Sequence, residues 1–358
     1  MKTRMKILFI NLLCNILLLQ SCNKETKIQP QKMTEDNFNY TVTATAPKAY
    51  PCEVHIGYLA DDKKQLICGI PKTGLLRAGW NGSGAAGAMG GNIVPSHIDL
   101  TYVAYAEKKF YHLDADLPKE KILEAFRKGF MIQGTENDAS GKRKLEHSTY
   151  DTFTVGLAPG GMVVIFLGGG DRIEICRLQA KEIFVDKNDF IPHPNPDESQ
   201  QQFFDIGFQY AVPDSIQTQI KERGIPYKLY DSYRKKYQYR FVFTPYDEKD
   251  VIETEVDRYY NGEFTGFLQP EEIAKKEYKN QGIPYEIKFF FKKYSTRITF
   301  NDQEMLSVFD ALQKKHPDKP MDIILKPTFE YTDFKLSVKC EDEIVPLTKY
   351  KVKGVWGG

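Results

Sequence analysis

Three short clusters in this chain combine residue types that could do chemistry. His112, Asp114 and Asp116 alternate, so on a strand all three would share one face. An imidazole and two carboxylates so placed could hold a divalent cation or serve as acid and base. The same letters also suit a solvated strand edge leading into a helix, with Asp116 where a helix N-terminus favours an acid. His147-Ser148-Thr149-Tyr150-Asp151 holds nucleophile, base and acid types side by side. Such clustering is weak evidence, because triads assemble from distant segments. No G-x-S-x-G elbow and no H-E-x-x-H pair occurs. Gly82-x-Gly84-x-x-Gly87 matches the dinucleotide fingerprint by letter. Yet Gly90, Gly91 and Pro95 follow where a helix should open, and no acid stands at 101–105. A glycine loop that lets Trp80, Asn81 and Gly82 approach a partner is the favoured reading. No catalytic residue, cofactor or metal is assigned.

Six cysteines remain to be placed. Cys14 and Cys22 lie in the N-terminal leader. Cys52 and Cys68 sit on alternating stretches joined by Asp61-Asp62-Lys63-Lys64, which reads as a hairpin turn. In such a hairpin both would face one side and lie nearly opposite, as a disulfide or as two buried thiols. No C-x-x-C spacing supports zinc or redox chemistry.

The leader itself is informative. Lys2, Arg4 and Lys6 precede an apolar run of about 14 residues, short of the roughly 20 that cross a bilayer, which is the layout of a secretory signal peptide. The run ends in Leu19-Gln20-Ser21-Cys22, which resembles the lipobox of bacterial lipoproteins. That resemblance implies that residues 1–21 are removed and that Cys22 carries acyl chains, palmitate among them, tethering the body to a membrane. Asn23 is not the aspartate that holds some lipoproteins in the inner membrane, so the outer membrane is expected. Lys24-Glu25 resembles, loosely, surface-export signals. The face, periplasmic or external, stays open.

The totals bound the rest. With 49 Lys plus Arg against 48 Asp plus Glu, the chain has no electrostatic footprint for nucleic acid. The 21 Tyr and 23 Phe, with many Val, Ile and Thr, lean toward strands. Residues 22–46 are polar and read as a flexible tether. A first domain spans 47–185, with strands at 98–106 and 109–113 and a helix at 117–129, where Pro118 sits in the first turn and Gly129 stops it. Residues 132–147 read as a polar loop. The strands 152–157 and 162–167 flank Ala158-Pro159-Gly160-Gly161, a type II turn sequence. The Pro-rich, polar stretch 186–202 reads as a linker. The second domain, 203–358, carries an internal repeat: Gly224-Ile225-Pro226-Tyr227 recurs as Gly282-Ile283-Pro284-Tyr285, and Lys235-Lys236-Tyr237 as Lys292-Lys293-Tyr294. A helix precedes each copy, so the unit reads as helix, strand, basic turn, strand. The turns at 234–237 and 291–294 read as solvated hairpin tips. A further helix, 303–315, is capped by Asn301 or Asp302. The fold class is α+β, two antiparallel-sheet-rich domains.

Over 47–185 the chain resembles a Gram-negative lipoprotein family catalogued as domain of unknown function 2931. The matching residues are Trp80, Pro95, Ile98, Tyr105, Phe110-Tyr111, Leu117-Pro118, and Gly156-Leu157-Ala158-Pro159-Gly160-Gly161 with the apolar strand after it. The resemblance implies a cell-envelope lipoprotein and supplies no catalytic residues. The expected function is a non-enzymatic outer-membrane or periplasm-facing lipoprotein. Its partners would be the membrane, through Cys22, and an envelope protein or glycan. Two alternatives stand beside it: an immunity lipoprotein that neutralises a secreted toxin, and an envelope hydrolase built on His112/Asp114/Asp116 or His147/Asp151.

Overall fold

The computed structural model describes residues 38–137, 143–245, 251–268, 270–275, 277–291, 294–328 and 333–356. Cys22 and the rest of the leader lie outside the described residues. Antiparallel pairing dominates, and the class is α+β. One ten-stranded sheet runs in the order Tyr350–Trp356, Tyr294–Phe300, Pro284–Phe290, Thr254–Tyr259, Phe264–Leu268, Arg172–Gln179, Met162–Gly168, Thr152–Ala158, Tyr40–Thr45, Ala86–Gly91. A six-stranded sheet is centred on Cys52–Ala60 and His97–Ala104. A five-stranded sheet is centred on Met321–Pro327, and Phe130–Asn137 pairs with Arg143–Ser148.

Burial explains the central strand of the long sheet. Met162, Val164 and Phe166 enter one hydrophobic cluster, and Val163, Ile165 and Leu167 enter the other. A strand covered on both faces reads as a continuous apolar run, not an alternating one. The turn before it forms as the sequence suggests: Ala158 pairs with Met162, and Gly160 takes φ 79 where a type II turn requires a positive value. The helix Lys119–Lys128 buries Ile122, Ala125 and Phe126. It ends at Gly129, where a Cβ would lie 2.0 Å from the Ser148 carbonyl. In Asp302–Lys315, Asn301 is the cap and accepts from the Glu304 amide.

Several expectations are corrected. Residues 40–45, assigned to the tether, form a strand parallel to Thr152–Ala158. Tyr40, Val42 and Ala44 alternate with threonines, and Thr43 and Thr45 bury their hydroxyls against Thr154 and the Gly79 carbonyl. The last part of the glycine-rich stretch, Ala86–Gly91, is an edge strand rather than loop. Much of 132–147 is hairpin rather than loop. Cys68 lies opposite Leu59 while Cys52 lies opposite Leu76 and Ala104, so the two are seven ladder positions apart. At about 3.3 Å per residue that is roughly 20 Å, far beyond disulfide reach. Cys52, Cys68, Cys176 and Cys340 are all free.

The repeat does not produce two equal units. After Gly224, Tyr230 and Tyr233 are buried three residues apart, and Leu229–Tyr233 is a helix. After Gly282, Ile287 and Phe289 are buried two apart, and Pro284–Phe290 is a strand. The period of the apolar residues decides the difference. The helix before the second copy is also short, Pro270–Lys275, and gives way to the strand Lys279–Gln281.

Residues 38–358 form one compact unit. The segment read as a linker, 186–202, carries the helix Lys187–Phe190 and the capping box of Gln200–Ala211, in which Ser199 and Gln202 satisfy each other's backbone amides. On either side of it, Arg172 pairs with Phe264 in the long sheet. A single hydrophobic cluster includes Trp80, Phe166, Tyr230 and Phe289. Ser199→Ala should therefore lower stability by about 1 kcal/mol, readable as a fall in melting temperature.

Candidate functional site

A cleft of about 520 Å³ opens where the glycine loop meets elements from the second half of the chain. Its floor is a run of rings. Trp80 stands edge-on to Phe166 at 5.6 Å and to Tyr230 at 5.1 Å. Tyr230 meets Tyr233 at 5.5 Å, Tyr233 meets Tyr260 at 5.1 Å, and Tyr260 meets Tyr285 at 5.2 Å. Tilted and edge-on pairs at these distances suit the ring quadrupoles.

Local sequence puts each ring in place. Tyr230 and Tyr233, spaced i and i+3, project from one face of Leu229–Tyr233. Tyr260 follows the strand Thr254–Tyr259 in a tight turn, where Asn261 accepts from the Glu263 amide and Gly262 takes φ 91. The turn is held by the Tyr260 hydroxyl donating to the Phe300 carbonyl at 2.7 Å. Trp80 is admitted by two glycines: a Cβ on Gly156 or on Gly262 would lie 3.1 Å from the indole. The loop itself is closed by Gly82 N donating to Gly79 O at 2.9 Å.

Charge lines the rim. Arg258 faces Glu286 across the strand pair, Nε to Oε1 at 3.8 Å, and Arg297 reaches Oε2 at 3.4 Å. Lys48 also lines the cleft, its side-chain carbons beside Gly79. Behind the loop, Arg172 is 1% exposed and donates Nη1 to the Gly82 carbonyl at 3.1 Å while stacking on Phe166 at 4.1 Å. Burial, then the Arg258 charge, push its guanidinium down to about 9. Its Nε and Nη2 find no partner among the described residues, nor do the Trp80 indole N–H and the Asn81 side-chain oxygen. Burial, with the hydrogen bond from Tyr233 to Asp302 at 2.5 Å, drives the Tyr233 phenol far above its usual range, so it stays a neutral donor.

The other sequence candidates are not brought together. His112 Nδ1 meets the Thr101 hydroxyl at 3.0 Å. It is His97, on the neighbouring strand, that Asp114 and Asp116 bracket, at 3.2 Å on Nε2 and 3.1 Å on Nδ1. A second hollow of about 440 Å³ lies there, with Ser96 beside His97. Each imidazole nitrogen thus faces a carboxylate. His147 Nε2 meets the Lys128 carbonyl at 2.8 Å, and the Asp151 carboxylate accepts from Thr152 at 2.9 Å, so no acid–base pair forms between them. Among the described residues, no group of three or more His, Cys, Asp or Glu is placed to hold a metal ion. The first basic turn is tied down, with Arg234 on Glu174, Lys235 on Asp310 and Lys236 on Glu263. Lys292 and Lys293 of the second lie outside the described residues.

Sequence reasoning pointed at Trp80, Asn81 and Gly82, and all three line the cleft. It did not place Arg258, Glu286, Arg297 or Tyr285 in a site; Tyr285 stood out only as a member of the internal repeat, and the strand residues show only alternation.

Compared with known proteins, residues 24–228 match a family model described as a protein of unknown function, DUF2931. No curated protein and no solved structure matches the chain. Among the described residues, no helix is long and apolar enough to cross a membrane.

Proposed function

Since this chain belongs to the DUF2931 family of proteins of unknown function, we propose that it is a non-catalytic binding protein, held at the cell envelope by acylation of Cys22, whose aromatic cleft takes a carbohydrate. The observation that carries this reading is the unbroken run of rings from Trp80 to Tyr285 along a concave surface. A sugar has apolar C–H faces and polar hydroxyl edges. Rings bordered by guanidinium and amide groups complement both. The volume also favours a compact ligand, since small-ligand pockets span roughly 300–1,000 Å³ whereas protein partners meet broader surfaces.

Fluorescence offers a direct test. The chain has two tryptophans, so in a Trp356→Phe background the emission reports Trp80 alone. Titration with oligosaccharides of about four sugars should shift it saturably. Tyr285→Ala should weaken that binding about threefold to tenfold, the worth of one ring contact, with the melting temperature nearly unchanged. Silence toward every oligosaccharide would overturn the reading.

A further inference from the structure

We propose that the sugar this cleft takes is anionic, with its carboxylate or phosphate held between Arg258 and Arg297. The inference rests on the carbohydrate reading above and adds the ligand's charge. Three observations carry it. First, cations outnumber anions around the opening: Lys48, Arg258 and Arg297 line it against Glu286 alone. Second, the two guanidinium groups already share one carboxylate. Each oxygen of Glu286 meets one arginine, through Nε, at 3.4 and 3.8 Å. These are ion-pair distances, longer than charge-assisted hydrogen bonds of about 2.7–2.9 Å. The side chains of Arg258 and Arg297 line the cleft and are 40% and 44% exposed, so neither guanidinium is enclosed, and Arg258 also lies over the Phe264 ring at 5.6 Å. Third, Arg172 is buried behind the glycine loop with two nitrogens unpartnered, and Arg258 adds to the positive field there. An uncompensated buried cation is costly, and an anion in the cleft would offset that field.

Glu286 then acts as an internal competitor. It holds the two arginines in place while the cleft is empty and is partly displaced when a ligand anion enters. This assigns opposite effects to neighbouring residues. Removing a guanidinium should weaken acidic ligands, and removing the Glu286 charge should strengthen them.

The test compares tetragalacturonate, a phosphorylated maltotetraose and neutral maltotetraose, with Trp80 emission as readout. Acidic probes should bind at least about tenfold more tightly than the neutral one at low salt, and the difference should shrink as salt rises. Arg297→Gln should bring the acidic-to-neutral ratio close to one while maltotetraose affinity stays unchanged. Glu286→Gln should raise the ratio. Whichever of the carboxylate and phosphate probes binds better identifies the headgroup. Equal affinity for acidic and neutral sugars would overturn this inference and leave the carbohydrate cleft standing. Binding of no sugar at all would overturn both, and stoichiometric capture of a protein blocked by Tyr285→Ala would replace them.

Discussion

Gly84→Ala is expected to destabilise the protein by roughly 3 kcal/mol, the sum of left-handed strain and an overpacked contact. Gly84 adopts φ +77, and a Cβ there would lie 2.0 Å from the Ala44 carbonyl oxygen. That oxygen belongs to the buried strand Tyr40–Thr45, which pairs on both sides and has little room to retreat. Gly91 provides the control. It too has positive φ, +64, but open space around it, so Gly91→Ala should cost only about 1–2 kcal/mol, from backbone conformation alone. Urea midpoints of the two variants measure the difference, and equal losses would show that the contact at Gly84 carries no weight. The comparison also explains the glycine-rich stretch. Its spacing resembles a phosphate-binding fingerprint because close backbone approach demands glycine in either setting. Here Gly84 approaches the protein's own strand, while Gly82 approaches the Ala78 backbone and Gly87 the Pro71 ring.

That stretch illustrates how far letters alone can be read. The helix Lys119–Lys128, the helix Asp302–Lys315 and the turn at Ala158 are legible because each is specified by residues within one or two turns of chain. Tyr40–Thr45 was hidden because threonine reads as polar, and burial of its hydroxyls depends on Thr154 and Gly79, far away in sequence. The separation of Cys52 from Cys68 was hidden because register counts outward from the turn. Leu66–Gly69 is only four residues long, so Cys52 runs on to pair with other strands. The cleft was the least legible feature. Trp80 could be named from its glycine setting, but Arg258, Glu286 and Arg297 converge only because three neighbouring strands of the long sheet lie side by side. No local spacing encodes that adjacency.

Raising the pH from 5 to 8 should destabilise the protein, and the strand that carries Arg258 is the reason. On the opposite face of Thr254–Tyr259, Glu255 and Asp257 point into the interior, 6% and 4% exposed, and share a hydrogen bond. Burial is the main cause that lifts both. Glu255 rises to about 7, and Asp257 rises well above the carboxylate range, held there also by the charge of Glu255. Lys279 opposes the shift without cancelling it. A raised folded-state value means that the folded chain keeps protons which the unfolded chain has already released. The stabilisation is thus complete below about pH 4 and is lost as the pH climbs through 7. The slope approaches about 1.4 kcal/mol per pH unit for each retained proton. Asp257→Asn keeps the shape, removes one ionisable group and relieves the repulsion on Glu255. Its urea midpoint should fall less than the parent's between pH 5 and pH 8. A small cavity of about 60 Å³ beside the pair, lined also by Gln281, gives water access to the Asp257 oxygen that has no partner among the described residues. If the parent's midpoint were the same at both pH values, the pair would have to be solvated well enough to ionise inside the fold. If the variant lost stability equally at both, Asp257 would matter for its hydrogen bond and not for its proton.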